Sequence, residues 1–93
     1  MKDRIFKKGD IIIPNNKFKE SNRWRIQQLK RARVTSLPNS AGYNKNLISI
    51  RLTGGKATSS DHHPWDARGG DVITVFEDAF MLESRKEPKY QLW

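Results

Sequence analysis

The chain has 93 residues, 35% of them hydrophobic, with no cysteine and a formal net charge of +8. That length supports one small core, and the missing cysteines exclude disulfides and thiolate metal sites. No run of about 18 apolar residues offers a membrane helix, and three isoleucines between charges and a proline are too short for a signal-peptide core, so a soluble cytoplasmic protein with no membrane partner is expected.

In chain order, FKKGDIIIP reads as a glycine and aspartate turn leading into a first strand over residues 10–13, closed by a proline that cannot donate to a ladder. Within NRWRIQQLKRAR, residues 22–31 are ambiguous. Trp24 and Ile26 alternate as in a strand, whereas Ile26 and Leu29 stand three apart as in a helix capped by Ser21. Residues 33–37 form a second strand that ends at Pro38, and PNSAGYNKN is a loop rich in turn residues.

NLISIRLTGG alternates most clearly, with Ile48, Ile50 and Leu52 on the face turned to the core until two glycines stop the strand. Residues 54–71 make a polar connection too long to be idle in a compact domain, and Trp65 is placed to pin its middle. Residues 72–76 form another strand, Glu77 and Asp78 sit in a tight turn, and FMLE closes the fold. Residues 84–93 lose all periodicity and read as a tail.

Five short strands with short connections are antiparallel and must curl round one core. The expected fold is mainly β, a small five-stranded antiparallel SH3-like barrel over residues 1–83, with room for one short helical segment. Its expected core is Ile11, Ile13, Val34, Ile48, Ile50, Leu52, Val75, Phe76, Phe80 and Leu82. A domain this small buries little surface, so homo-oligomer formation stays open.

Lys8, Gly9 and Asp10 at the start, with Phe76, Phe80 and Leu82 at the end, resemble the two ends of a broad group of SH3-like barrel proteins, many of them encoded by phages and mobile elements. RARVTSLP through NLISIRLTGG is similar to the strand pair of KOW domains, although KRARV has no glycine where those domains carry one. The resemblance implies a small binding module, located in the host-cell cytoplasm if phage-encoded. It transfers no catalytic residue.

The charge is concentrated. Residues 17–33 carry Lys17, Lys19, Arg23, Arg25, Lys30, Arg31 and Arg33 against Glu20 alone, whereas residues 34–93 balance seven cations with seven acids. Such a local excess attracts phosphate or carboxylate surfaces, and the interleaved Trp24 either stacks on an unpaired base or holds the segment on the core. The first expected partner is nucleic acid or a nucleic-acid machine, bound by these seven cations and Trp24. An alternative is inhibition of an acidic host protein, such as a defence or transcription factor, and a third reading is capture of a small nucleotide.

DHHPWDAR offers His62, His63, Trp65 and Arg68 as a secondary loop site. Adjacent histidines point apart and no further ligand follows at metal-site spacing, so no metal and no cofactor is expected. Residues 66–83 hold five acids against Arg68, which predicts a second, acidic surface. No nucleophile stands beside a base and no phosphate-cradling glycine loop appears, so the protein is read as non-enzymatic.

Overall fold

The computed structural model describes residues 4–39, 42, 44–60 and 65–85. The described strands are β1 (Ile11–Pro14), β2 (Glu20–Ser21), β3 (Trp24–Arg25), β4 (Leu29–Ser36), β5 (Leu47–Gly55), β6 (Ala57–Ser59), β7 (Asp66–Ala67), β8 (Val72–Phe76) and β9 (Phe80–Ser84). A single 3-10 turn, Glu77–Ala79, joins β8 to β9. The protein is mainly β, and its pairings are all antiparallel: one sheet in the order β8-β5-β4-β1-β9 and a smaller one in the order β2-β3-β6-β7.

The five strands expected from the sequence all fall in the larger sheet. β5 runs as its alternation predicts, with Ile48, Ile50 and Leu52 buried, and Ala32 and Val34 on β4 and Ile73 and Val75 on β8 line the same core. Side-chain bonds, not a shared ladder, link β8 to the smaller sheet. The Ser21 hydroxyl accepts from the Phe76 N–H at 2.6 Å and bonds the Phe76 carbonyl at 3.2 Å, while the Asn22 amide donates to the Thr74 carbonyl at 3.4 Å.

Three expectations about the core are corrected. Ile11 and Ile13 are only half-buried, and Ile12 between them is fully buried. Three consecutive isoleucines carry no phase of their own, and Asp10 sets it. Its carboxylate is buried, holding the Lys7 N–H at 2.8 Å and Arg85 at 2.9 Å, and its carbonyl accepts from the Val34 N–H, so the residue two places on also points inward. Phe76 is half-buried because the alternation of β8 turns Ile73 and Val75 inward. Leu82 is 42% exposed although it stands opposite Ile12, because the β1–β9 register shifts between Ile11 and Ile12.

The 22–33 stretch contains no helix. Asn22 (φ 49°) and Arg23 (φ 81°) form the left-handed two-residue turn of a hairpin between β2 and β3, and β4 begins at Leu29. Ser21 is therefore a buried link to β8 and not a helix cap. The described part of the 54–71 connection is also structured, since β6 and β7 extend the smaller sheet. Strand β9 reaches Ser84, and Arg85 is tied to Asp10, so the fold runs past residue 83. No helix among the described residues is long and apolar enough to cross a membrane.

Candidate functional site

The fold separates the cations that the sequence places together. Lys17 sits exposed in a turn whose Asn15 side chain accepts its N–H, and Lys19 is exposed just before β2. Arg23 occupies the hairpin turn, where its carbonyl receives both the N–H and the hydroxyl of Ser60 at 2.8 Å. Arg25 lies on β3 beside Glu20 at 3.8 Å, an exposed pair of little energetic weight. Lys30, Arg31 and Arg33 belong to β4, on the larger sheet.

On β4 the register slips between Leu29 and Arg31, so Lys30 is an extra residue opposite the Gly54–Gly55 step of β5. The bulge interrupts the in-and-out alternation, leaving Lys30 and Arg31 consecutive and both exposed. A Cβ at Gly54 would lie 3.6 Å from the Cβ of each, so both basic stems start from this one point. Gly55 (φ +79°) suits this place, because a Cβ on it would collide with the Gln28 carbonyl.

Two residues further along β4, Arg33 stands directly opposite Arg51 of β5. Both are exposed, and neither has a salt bridge among the described residues. Like charges in direct cross-strand register destabilise a sheet, so this juxtaposition is maintained against local electrostatics. Arg33 and Arg51, with Arg31, Thr35 and Thr53, line an open groove of about 440 Å³. Its one carboxylate, Glu83, is held by Arg31 Nε at 2.7 Å. Charge density along the sequence does not single out Arg51, which lies outside the basic run, although the alternation of NLISIRL turns it to the outer face.

Glu83 also borders a second groove of about 510 Å³. The turn at residues 15–18 and the turn at residues 26–29 form its walls, linked by the Ile26 N–H to the Lys19 carbonyl. Ile13, Pro14, Phe18, Ile26 and Leu29 give it apolar lining, while Asn16, Gln27, Lys19 and Lys30 are exposed at its rim. Lys30 in turn borders a third groove, with Gln28, Lys56 and Arg68. There Asp66 serves both Lys56 (3.3 Å) and Arg68 (3.6 Å). The Thr58 hydroxyl and then Lys56 hold its carboxyl below the usual range.

Trp24 is half-buried and packs against the core, and Trp65, 52% exposed, meets it edge-on with ring centroids 5.1 Å apart. Both residues are tied to Ser59 through the backbone, since Ser59 pairs with Trp24 in register and donates its N–H to the Trp65 carbonyl. Of the secondary loop site, His62 and His63 lie outside the described residues, and the structure does not gather Arg68 with Trp65 in any groove named above. Among the described residues no group of three metal-ligating side chains occurs.

The acids of residues 66–83 are individually engaged. Glu77 is buried, accepting from the Phe6 N–H at 3.3 Å and the Asn46 amide at 3.2 Å. Asp78 pairs with Lys45 at 3.1 Å, Glu83 with Arg31 and Asp66 with Lys56, so these acids serve as internal ties and partners of individual cations. No family model, curated protein or solved structure matches the chain.

Proposed function

We propose that this protein is a non-enzymatic binding module, a variant of the SH3-like barrel, that engages the phosphate backbone of nucleic acid through the outer face of β4 and β5. The strand order of the larger sheet and the 3-10 turn before β9 support the fold reading. The binding reading rests on the Arg33–Arg51 pair, whose mutual repulsion a phosphate seated between the two guanidiniums would relieve. Lys30 and Arg31 extend the contact set to four, and Arg51 replaces Arg25, which belongs to the other sheet.

With Arg31 held by Glu83, the three remaining contacts give a log–log salt slope near −2 to −3, at roughly 0.7–0.9 per contact depending on strandedness. Binding of a labelled oligonucleotide, followed by fluorescence anisotropy from low to moderate salt, is expected to show that slope. Arg33→Glu combined with Arg51→Glu abolishes it with little change in melting temperature. A protein that binds no oligonucleotide at low salt, yet captures an acidic host protein in a pulldown that nuclease leaves intact, reads against nucleic acid and for the host-protein alternative.

A further inference from the structure

We infer that the groove between the 15–18 and 26–29 turns receives an unpaired base, which makes the target a single strand and not a duplex. The inference rests on the nucleic-acid reading above and specifies its ligand. Three observations point the same way. First, the groove adjoins the arginine groove directly, since Glu83 borders both, and Lys30 stands at its rim, so a chain whose phosphates lie on Arg33 and Arg51 has a recess beside it with ample room for a base.

Second, the chemistry of the groove suits a heterocycle better than a phosphate. Phe18, Ile13 and Pro14 are all partly exposed within it, and an apolar wall of this kind offers van der Waals contact to a flat ring while giving a phosphate nothing. The exposed amides of Asn16 and Gln27 at its edge each carry donors and an acceptor, the complement of a base's Watson–Crick edge. A volume of about 510 Å³ falls within the usual range of small-ligand sites, roughly 300–1,000 Å³.

Third, the recess is built and held open. The Phe18 N–H bonds the Asn15 carbonyl at 2.9 Å, the Asn15 N–H bonds the Ala79 carbonyl at 2.7 Å, and the Leu29 N–H bonds the Ile26 carbonyl at 3.1 Å, so both walls are fixed by backbone. A base in a duplex has its edge occupied by its partner and its faces by stacking, and it cannot enter without leaving the helix. An unpaired base enters freely.

The experiment compares three labelled ligands of equal phosphate number at one salt concentration: a thymidine oligomer, the same chain with every base removed, and a duplex. The base-free chain is expected to bind at least tenfold more weakly than the thymidine oligomer while keeping its salt slope, because its phosphates are unchanged. Asn16→Ala combined with Gln27→Ala, both exposed and safe for folding, narrows that gap severalfold and leaves duplex affinity alone. Equal affinity for the thymidine and base-free chains overturns the base recess while leaving phosphate binding intact. Failure of all three ligands to bind overturns the recess together with the nucleic-acid reading. Tighter binding of the duplex than of the thymidine oligomer also overturns it.

Discussion

Arg33 and Arg51 face each other across the β4–β5 ladder with no carboxylate paired to either among the described residues. A cross-strand pair of like charges costs stability, on the order of 0.2–1 kcal/mol relative to neutral neighbours. Arg51→Thr, which puts a β-branched residue on the strand, is therefore expected to raise the melting temperature by about 1–8 °C, from the scaling of roughly 4–8 °C per kcal/mol for a domain this size. Thermal unfolding at low salt and at about 1 M salt checks the cause, because screening at high salt removes most of the gain. The same substitution weakens oligonucleotide binding, so stability and binding move in opposite directions. A gain of equal size at both salts points to strand propensity and not to repulsion.

Gly55 supports the bulge that presents Lys30 and Arg31, and it differs from Gly70 in a testable way. Both have positive φ, +79° and +94°, but a Cβ on Gly55 would collide with Gln28 and Lys30 backbone, whereas Gly70 has nothing within 4 Å. Gly70→Ala is expected to cost about 1–2 kcal/mol, the left-handed backbone penalty alone. Gly55→Ala adds steric displacement of β4 and costs clearly more. Denaturant unfolding of the two variants measures the difference, and equal losses count against the close approach.

The larger sheet was legible wherever a strand carried a clean two-residue alternation. NLISIRL is read correctly because apolar and polar positions take turns, and the buried phase follows. VITVF is placed as a strand but has one polar residue, and its phase puts Ile73 and Val75 inward and leaves Phe76 half-buried. IIIP has no such contrast, and its phase depends on the buried carboxylate of Asp10, a tertiary fact. The hairpin at Asn22 and Arg23 lacks the glycine that usually announces one, and the two-residue strands around it are too short for any period. Lys30, Arg31 and Arg33 of the basic run are exposed on β4, but charge density along the chain does not reveal a partner eighteen residues away. Arg51 joins Arg33 only through register.

The exchange of phase between Ile12 and its neighbours has a direct energetic signature. Ile12 is fully buried, as is Ile50, and truncating either to alanine is expected to cost about 2–5 kcal/mol. Ile13→Ala, at a half-buried position on the groove wall, is expected to cost clearly less. Equal losses at positions 12 and 13, by chemical denaturation, speak against the observed phase of β1.

Asp10 links the amino-terminal turn to Arg85, and its titration gives a pH signature. Burial alone raises its pKa, but the Arg85 hydrogen bond, the Lys7 N–H and the charges of both residues outweigh that and hold it below 3.8. Because the folded value lies below the unfolded one, the stabilisation is fully present above the unfolded value near 4 and disappears as pH falls through the folded one. Asp10→Asn is thus expected to be less stable than the parent at pH 7, with the gap closing as pH falls below the unfolded value. Paired denaturation curves across that window measure it, and a gap that does not change with pH assigns the loss to packing.

Glu83 is the single carboxylate lining the arginine groove, and it occupies Arg31 Nε at 2.7 Å. For a phosphate ligand it is unfavourable twice over: it repels the incoming charge, and it holds a guanidinium that would otherwise contact it. Glu83→Gln keeps the side-chain shape and removes the charge, so affinity for an oligonucleotide is expected to rise severalfold at low salt. The salt slope steepens by about one contact as Arg31 is released, near 0.7–0.9 depending on strandedness. Stability moves the other way, by about 0.2–1 kcal/mol, since a half-exposed ion pair is lost. Anisotropy titrations at several salt concentrations, alongside thermal unfolding, separate the two effects. An unchanged slope with an unchanged affinity places the ligand elsewhere than on the Arg31 side of the groove, whereas tighter binding in a less stable protein fixes Glu83 as the residue that limits how strongly this face holds phosphate.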